Sequence, residues 1–201
     1  MPRKNKKLPR HLLVIRTSAM GDVAMLPHAL RALKEAYPEV KVTVATKSLF
    51  HPFFEGVDVD FLDIETRRTH RGIRGAIRFA REAAELKIDA VADMHNVLRS
   101  KMVRAALHLR GIPVSVIHKG RIEKYMRLGR GSEGVKPLKH TVIRYCDVFR
   151  RLGFDFPDPR PAEKRPRPNP MGEKQGIWIG FAPFSAQPGK TCLLYTSDAA
   201  D

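Results

Sequence analysis

Two short stretches of this sequence place acidic, basic and hydroxyl side chains directly after an apolar run. The first is Arg16–Asp22 (RTSAMGD), which lies between a predicted strand and a predicted helix. Backbone N–H groups at such a helix start can face an anion or a polar substrate, and the Asp22 carboxylate could accept a proton from an attacking hydroxyl. Alternatively, Asp22 only caps or precedes the helix, where the helix dipole favours acids. No GxGxxG pattern occurs here, so a dinucleotide-binding loop is not supported.

The second stretch is Asp93–Ser100 (DMHNVLRS), which follows another apolar run. His95 and Asn96 carry donors and acceptors for sugar hydroxyls, and Arg99 could pair with a phosphate. The alternative is a helix start that Asn96 caps, with His95 in the loop before it. A further stretch, His140–Tyr145 (HTVIRY), begins a later helix, and we expect it to pack rather than to catalyse.

The segment Phe181–Thr191 (FAPFSAQPGKT) ends in Gly-Lys-Thr, which invites comparison with a phosphate-binding P-loop. The P-loop pattern GxxxxGK[ST] requires glycine where this chain has Phe184, so a P-loop phosphotransferase is disfavoured. The two cysteines, Cys146 and Cys192, form no CxxC pair, and no His/Cys cluster has zinc spacing. The sequence therefore suggests neither a disulfide framework nor a structural metal, and a reducing cytoplasmic setting fits it best.

Apolar runs alternate with helical periodicities along the chain. Five strands are predicted: His11–Arg16, Lys41–Thr46, Val57–Ile64, Asp89–Met94 and Pro113–Ile117. Four helices are predicted: Val23–Tyr37, Ile73–Leu86, Val97–Leu109 and Leu138–Leu152. The second helix is indicated by Ile73, Ile77, Ala80 and Ala84, which share one face. This alternation is typical of βαβ units and predicts an α/β fold, with a parallel sheet and helices on both its faces.

Composition divides the chain into five segments. A basic extension, 1–10, precedes the α/β pattern of 11–155, and residues 156–175 contain six prolines, which predicts a semi-rigid linker. Residues 176–191 open with GIWIGFA, the pattern of the first strand of a second domain. The last segment, 192–201 (CLLYTSDAAD), resembles a translated transposon-end sequencing adapter, so we treat it as an artefact. A frayed native terminus is the alternative.

The formal net charge of +16 is unevenly distributed. Between Leu98 and Arg130 nine Lys and Arg residues face a single acid, Glu123. Such a field attracts nucleic acid, anionic lipid or phosphorylated glycolipid, although a solvated basic surface without a ligand is also compatible with it. No apolar run approaches the roughly 20 residues that span a bilayer, and none follows the basic start as a secretory signal requires.

Residues 12–38 (LLVIRTSAMGDVAMLPHALRALKEAYP) resemble the opening of family 9 glycosyltransferases, the group that includes lipopolysaccharide heptosyltransferases. The family pattern is an apolar strand, Arg, Ser/Thr, a small residue, Gly-Asp, and an apolar helix containing Pro and Leu-Arg. Asp93–Ser100 resembles the family's acceptor-side segment, and Phe181–Thr191 resembles its donor loop. The resemblance covers nearly all of 11–191 and ends at Thr191, where family members continue into a Trp/Tyr-Pro segment.

The resemblance implies a GT-B fold, in which two Rossmann-like domains face each other across a cleft. This chain would hold the acceptor-side domain and only the first strand of the donor-side domain. It implies an inverting transfer of a sugar, expected to be heptose from ADP-heptose, to a lipopolysaccharide core or related phosphorylated glycolipid. Neither a metal nor a cofactor is expected, because lysine and helix N-termini can hold the departing diphosphate.

The resemblance also assigns roles to residues of this chain. Asp22 is the implied catalytic base, and Ser185 and Lys190 are the implied ligands of the donor diphosphate. The implied acceptor-binding residues are Ser18, His95, Asn96 and Arg99. With half of the donor site missing, the 201-residue chain is expected to be inactive by itself.

Two further expectations concern partners. We expect a cytoplasmic enzyme that binds no nucleic acid, with peripheral contact to the anionic inner face of the cytoplasmic membrane left open, for example through the basic extension 1–10. The alternative is a basic module that binds nucleic acid or anionic lipid without catalysis. Tyr125 is the only aromatic residue besides histidine between Leu98 and Arg130, so the stacking platform of a nucleic-acid binder is not evident.

Overall fold

A five-stranded parallel sheet forms the centre of the fold. The computed structural model describes residues 7–65, 68–128 and 138–159, together with 172, 176 and 177. The strands are β1 (His11–Ile15), β2 (Lys41–Thr46), β3 (Asp60–Asp63), β4 (Ala90–Asp93) and β5 (Val114–Val116), in the spatial order β3-β2-β1-β4-β5. All four neighbouring pairs are parallel, and Val14 of β1 lies opposite Val44 of β2 and Ala92 of β4. The predicted parallel α/β sheet is therefore confirmed.

Helices cover both faces of this sheet, as predicted. They are α1 (Met20–Ala36), α2 (Gly72–Glu85), α3 (Leu98–His108), α4 (Arg121–Leu128) and α5 (Thr141–Arg151). One hydrophobic core joins α1 and α5 to the sheet, and a second core joins α2 and α3 to its other face. The central strands are mostly apolar because both of their faces are buried, the usual condition of a parallel sheet.

Four features differ from the predicted elements. Helix α1 begins at Met20 rather than Val23, so the Gly-Asp pair lies in its first turn, and β3 is four residues long, starting at Asp60. A 3₁₀ helix, Ser48–Phe54, and helix α4 were not predicted. Both are only seven or eight residues long, too short for a clear helical period in the sequence.

The predicted face of α2 is correct for Ala80 and Ala84, which pack against the core, and wrong for the two isoleucines. Ile73 and Ile77 are 68% and 46% exposed, whereas the side chains turned toward the core are mostly small, with Phe79 between them. The buried residues are Gly75, Ala76, Phe79, Ala80 and Ala83. Small residues let the helix axis approach the sheet and α3 closely, so their arc of the helix becomes the packed one. The isoleucines are left at its outer margin.

Helix α2 is anchored at its start by the preceding loop. His70 is 4% exposed; its Nδ1 accepts a hydrogen bond from the Glu65 amide at 3.0 Å, and its Nε2 lies 3.0 Å from a Glu82 carboxylate oxygen. Gly75 packs directly on this loop, because a Cβ atom there would lie 2.2 Å from the backbone carbon of His70. A side chain at this position would push the loop and the helix apart.

Beyond residue 159 the structure describes only residues 172, 176 and 177, so the predicted linker, second domain and tail stay predictions. Among the described residues, no helix has the length and the apolar character needed to cross a membrane.

We expect Gly75→Ala to lower the free energy of unfolding by about 1–3 kcal/mol, the usual cost of overpacking a filled site. The matched control is Gly21→Ala, also in the first turns of a helix, where an added Cβ meets nothing within 4 Å. The control should leave stability unchanged or raise it slightly, because alanine favours the helix. Urea unfolding of the two variants measures the difference, and equal stability of both would contradict the close packing described.

Candidate active site

The order of the strands brings the two chemically suggestive stretches together. From β1 the chain moves outward to β2 and β3, and it then returns to place β4 on the other side of β1. The loops after β1 and β4 therefore start next to each other and lead to helices on opposite faces of the sheet. Such a switch point is where ligands of α/β proteins usually bind. Ile15, the last residue of β1, pairs with Asp93, the last residue of β4. Arg16–Asp22 and Asp93–Ser100 start side by side.

The Arg16 side chain links the two loops. Its guanidinium forms an ion pair with Asp22 and donates a hydrogen bond to the carbonyl oxygen of Met94. It also lies 5.9 Å from the centroid of the Tyr145 ring, within the range of a cation–π interaction. Arg16 is 7% exposed, and within the described part of the chain its Nε has no hydrogen-bond partner. A buried cation in this position fixes the loops relative to each other.

Asp22 is in the first turn of α1, but it does not cap the helix. The N-cap is Ala19, and no side chain provides a capping hydrogen bond. The Asp22 carboxylate instead contacts Arg16 and remains 40% exposed, so part of it faces solvent at the edge of the sheet. The hydroxyl of Tyr145 donates to the backbone oxygen of Asp22 at 3.0 Å, which ties the start of α1 to α5.

Asp93 organises the second loop from a fully buried position. One of its carboxylate oxygens accepts the backbone N–H groups of His95 at 2.9 Å and of Asn96 at 2.8 Å. The other oxygen lies 3.2 Å from Arg104 of α3. Asn96 has a φ of 47°, a left-handed conformation that asparagine tolerates better than most residues. The loop therefore turns sharply at Asn96 before α3 begins.

Asn96 is not the cap of α3, so that alternative is wrong. The N-cap is Val97, whose amide donates to the Ser100 hydroxyl at 3.0 Å. The side-chain nitrogen of Asn96 lies 3.5 Å from the backbone oxygen of Ile117, and its side-chain oxygen lies 3.4 Å from the Arg104 guanidinium. These contacts join the loops after β4 and β5.

The His95 side chain extends from the second loop toward Ser18 of the first loop, and the residue is 8% exposed. Its Nε2 is 3.5 Å from the Ser18 hydroxyl, and its Nδ1 has no partner within the described residues. Burial, together with the nearby charges of Arg16 and Lys119, lowers the pKa of His95 to about 4. The imidazole is therefore neutral near pH 7, with one nitrogen available as a donor and the other as an acceptor.

Lys119 is a residue of this site that the sequence pattern does not single out. Its ammonium donates to the Asn96 backbone oxygen at 3.3 Å, and burial, with the charges of Arg16 and Arg121, lowers its pKa. It makes no ion pair with a carboxylate in the described part of the chain. Its only sequence signal was membership of the basic stretch, which does not distinguish it from the other eight cations.

Arg144 holds the loop that carries Lys119. Its guanidinium donates to the His118 oxygen at 3.0 Å and to Glu123 at 3.2 Å, while its Nε donates to the Lys139 oxygen at 2.9 Å. Gly120 packs against this guanidinium with a φ of +60°, and a Cβ there would lie 2.4 Å from it. The stretch His140–Tyr145 thus has a structural role, because the Nδ1 of His140 also caps α5.

A cavity of about 140 Å³ opens beside His95, between the loops and the second core. Ser18, His95 and Arg99 line it, as do Lys47 from the loop after β2 and Phe79 from α2. It therefore combines three of the four predicted acceptor-binding residues with an apolar floor. Asn96 and Asp22 do not line this cavity, and Ser185 and Lys190 lie outside the described residues.

Two other kinds of chemistry find no support among these residues. Within the described ranges, no group of three or more His, Cys, Asp and Glu side chains could hold a metal ion. Cys146 is fully buried in the core, and burial raises the pKa of its thiol to about 11, so it is unsuited to act as a nucleophile.

Comparison with known proteins gives structural neighbours only. No family model and no curated protein matches the chain. A family 9 glycosyltransferase from Veillonella parvula superposes with a TM-score of 0.52 at 19% identity, over 72% of this chain and 42% of its own. The E. coli heptosyltransferase WaaC, solved with ADP-2-deoxy-2-fluoro heptose, gives a TM-score of 0.51 at 23% identity, over 75% of this chain and 50% of its own.

These likenesses establish the fold. The Rossmann-like α/β class predicted for residues 11–155 is confirmed, and the structural neighbours include the family that the sequence resembles. The chain spans about half the length of these two proteins.

The low pKa of His95 predicts how stability depends on pH. Between its ordinary pKa of 6.5 and its native pKa of about 4, the unfolded chain binds a proton that the folded chain does not. Protonation of His95 in the unfolded chain should therefore lower the free energy of unfolding as the pH falls through this window, by roughly 3 kcal/mol in total. His95→Gln should abolish this part of the loss in urea unfolding between these pH values. His108→Gln, an exposed histidine on α3, is the control, and an identical pH dependence of all three proteins would refute the assignment.

Proposed function

We propose that this chain is the acceptor-side part of a family 9 glycosyltransferase. The observation that carries the proposal is a partly exposed carboxylate, Asp22, held by a buried arginine at the switch point of a parallel sheet. Neutral His95 lies close enough to Arg16 and Asp22 for their charges to affect its pKa. The likeness in fold to the Veillonella protein and to WaaC supports the proposal, as does the sequence motif around Asp22.

In the proposed reaction Asp22 acts as the general base. Its carboxylate accepts the proton of an acceptor hydroxyl, and the hydroxyl oxygen attacks the anomeric carbon of a nucleotide-sugar. The bond from that carbon to the diphosphate breaks as the new bond forms, so the anomeric configuration inverts. We assign the departing diphosphate to Ser185 and Lys190 of the donor loop, where a cation stabilises the charge that develops.

The cavity beside His95 suits a polar acceptor with an anionic group. Ser18 and His95 offer a hydroxyl and a neutral imidazole for sugar hydroxyls, and Arg99 and Lys47 line the same cavity. Asn96 lies at the adjoining turn, which Lys119 also contacts. We therefore propose a phosphorylated glycolipid such as a lipopolysaccharide core as acceptor. WaaC has been solved with an ADP-heptose analogue, and a similar donor, ADP-heptose, is proposed here.

The alternative of a non-catalytic basic module has less support from the described residues. At least two cations of the basic stretch have internal partners, since Arg104 pairs with Asp93 and Lys119 contacts the Asn96 carbonyl. Tyr125 is 80% exposed, but it is the only aromatic side chain besides histidine in that stretch. A single aromatic does not make a platform for stacked bases.

The test of catalysis is Asp22→Asn in the complete protein, with its donor-side half. We expect kcat for sugar transfer to fall by about 10²–10⁴-fold, the usual contribution of a general base. Acceptor affinity should change little, because Asp22 does not line the acceptor cavity and the asparagine oxygen can still accept a hydrogen bond from Arg16. Nucleotide diphosphate release from the nucleotide-sugar measures the rate.

The matched control is Asp58→Asn, a carboxylate that is 90% exposed and pairs with Lys34 away from the site. It should retain the full rate, and the 201-residue chain alone should give none. Wild-type kcat in the Asp22→Asn protein would overturn the proposed role of Asp22.

Lys119 should contribute to acceptor affinity rather than to the chemical step. Lys119→Gln is expected to weaken binding of a phosphorylated acceptor on the order of tenfold, the loss of one charge-assisted hydrogen bond. Titration calorimetry with this chain measures the dissociation constant directly. Lys41→Gln, an exposed lysine at the amino end of β2, is the control and should leave it unchanged. Equal weakening by both substitutions would indicate a general charge effect instead.

A further inference from the structure

The outer face of α2 carries two large apolar side chains that the core does not use. Ile73 and Ile77 lie one turn apart and are 68% and 46% exposed, although the helix packs tightly through Phe79 and the small residues around it. Scattered surface apolar residues are ordinary. Here, however, the two lie on the same margin of one helix and extend its apolar arc beyond the part that the sheet and α3 cover.

Four arginines follow these isoleucines around the helix, on the side away from the buried arc. Arg71, Arg74, Arg78 and Arg81 are all exposed, and the first acid of the helix is Glu82, whose carboxylate contacts His70. None of the four arginines forms an ion pair with a carboxylate in the described part of the chain. The exposed face is therefore both apolar and uniformly cationic over its first ten residues.

Helix α2 also contributes to the proposed acceptor cavity through its inner side. Phe79, on the inner side of α2, lines the cavity, so the same helix separates the cavity from the isoleucines. Leu98, at the start of the neighbouring α3, is 75% exposed and adjoins Arg99 of the cavity wall.

We infer that the outer face of α2 docks on a lipid bilayer that contains anionic lipids. Isoleucine side chains at a helix margin can enter the boundary between headgroups and acyl chains, while arginines bind the lipid phosphates above it. Each cation near an anionic bilayer contributes about 1 kcal/mol. An acidic protein would match the charge as well. The bilayer fits better because long arginine side chains flank an apolar strip along one helix, as in helices that lie in a membrane interface. The inference goes beyond the proposed reaction and does not depend on it.

The test uses the 201-residue chain and vesicles that float in a density gradient. We expect the chain to float with vesicles of phosphatidylglycerol and phosphatidylcholine in about equal amounts, and much less with phosphatidylcholine alone. Ile73→Ser/Ile77→Ser should weaken binding on the order of tenfold at any salt concentration. Arg74→Gln/Arg78→Gln should weaken it mainly at about 0.1 M salt and less at about 1 M, where charges are screened.

The matched control is Leu109→Ser/Arg110→Gln, an exposed pair at the far end of α3, where Leu109 is 88% exposed. It should bind like the wild type. Circular dichroism and the Tm should be the same for all variants, because every substituted side chain is on the surface.

Three results would overturn the inference. One is undiminished flotation of Ile73→Ser/Ile77→Ser. Another is loss of flotation only when the exposed residues of α4 are replaced, as in Ile122→Ser/Tyr125→Ser, or when the basic residues of 1–10 are removed. Binding of the wild type to an acidic protein but to no vesicle would also exclude the bilayer as the partner.

Discussion

The buried guanidinium of Arg16 is the interaction on which the arrangement of the site depends. A cation that is 7% exposed is costly to desolvate, and it is tolerated only when nearby groups compensate for its charge. Asp22, the Met94 carbonyl and the face of Tyr145 supply that compensation, and they come from α1, the loop after β4 and α5. The proposed base therefore has a structural function too, because removing its charge would leave Arg16 without its carboxylate.

The order of the strands brings the loops after β1 and β4 together, and buried polar groups fix the geometry of these loops. Since β4 returns to the side of β1, the two loops emerge together, but their conformations are set by hydrogen bonds that converge on Asp93 and on the backbone of Asp22. Asp93 is fully buried and satisfied by two amides and Arg104. We infer that it positions His95 and Asn96 and takes no part in proton transfer. The carboxylate with an open side, Asp22, is the one suited to chemistry.

The sequence predicted what depends on local pattern. Apolar runs bounded by turns located all five strands, and an acid in a strand-to-helix turn located Asp22. Contacts between residues that are far apart in the sequence could not be predicted. Tyr145 and Asp22, for example, are 123 positions apart, and no spacing rule connects them. Lys119 was hidden among similar cations, since its role depends on a loop that Arg144 holds in place. On α2 the pattern predicted the helix but placed its two isoleucines on the buried side. In the structure, close packing places mostly Ala and Gly on that side instead.

The charges around His95 explain why the opening suits an anion. Arg16 is matched by Asp22 and Arg104 by Asp93, which leaves Lys119 without a carboxylate among the described residues. His95 stays neutral there because protonation would add another positive charge in a place that water hardly reaches. An acceptor phosphate bound near Lys119 would offset this excess, and it would also make protonation of His95 less unfavourable. Binding an anion should therefore raise the pKa of His95. That coupling would distinguish an acceptor at the switch point from one held only at the outer basic surface, where the imidazole would not sense it.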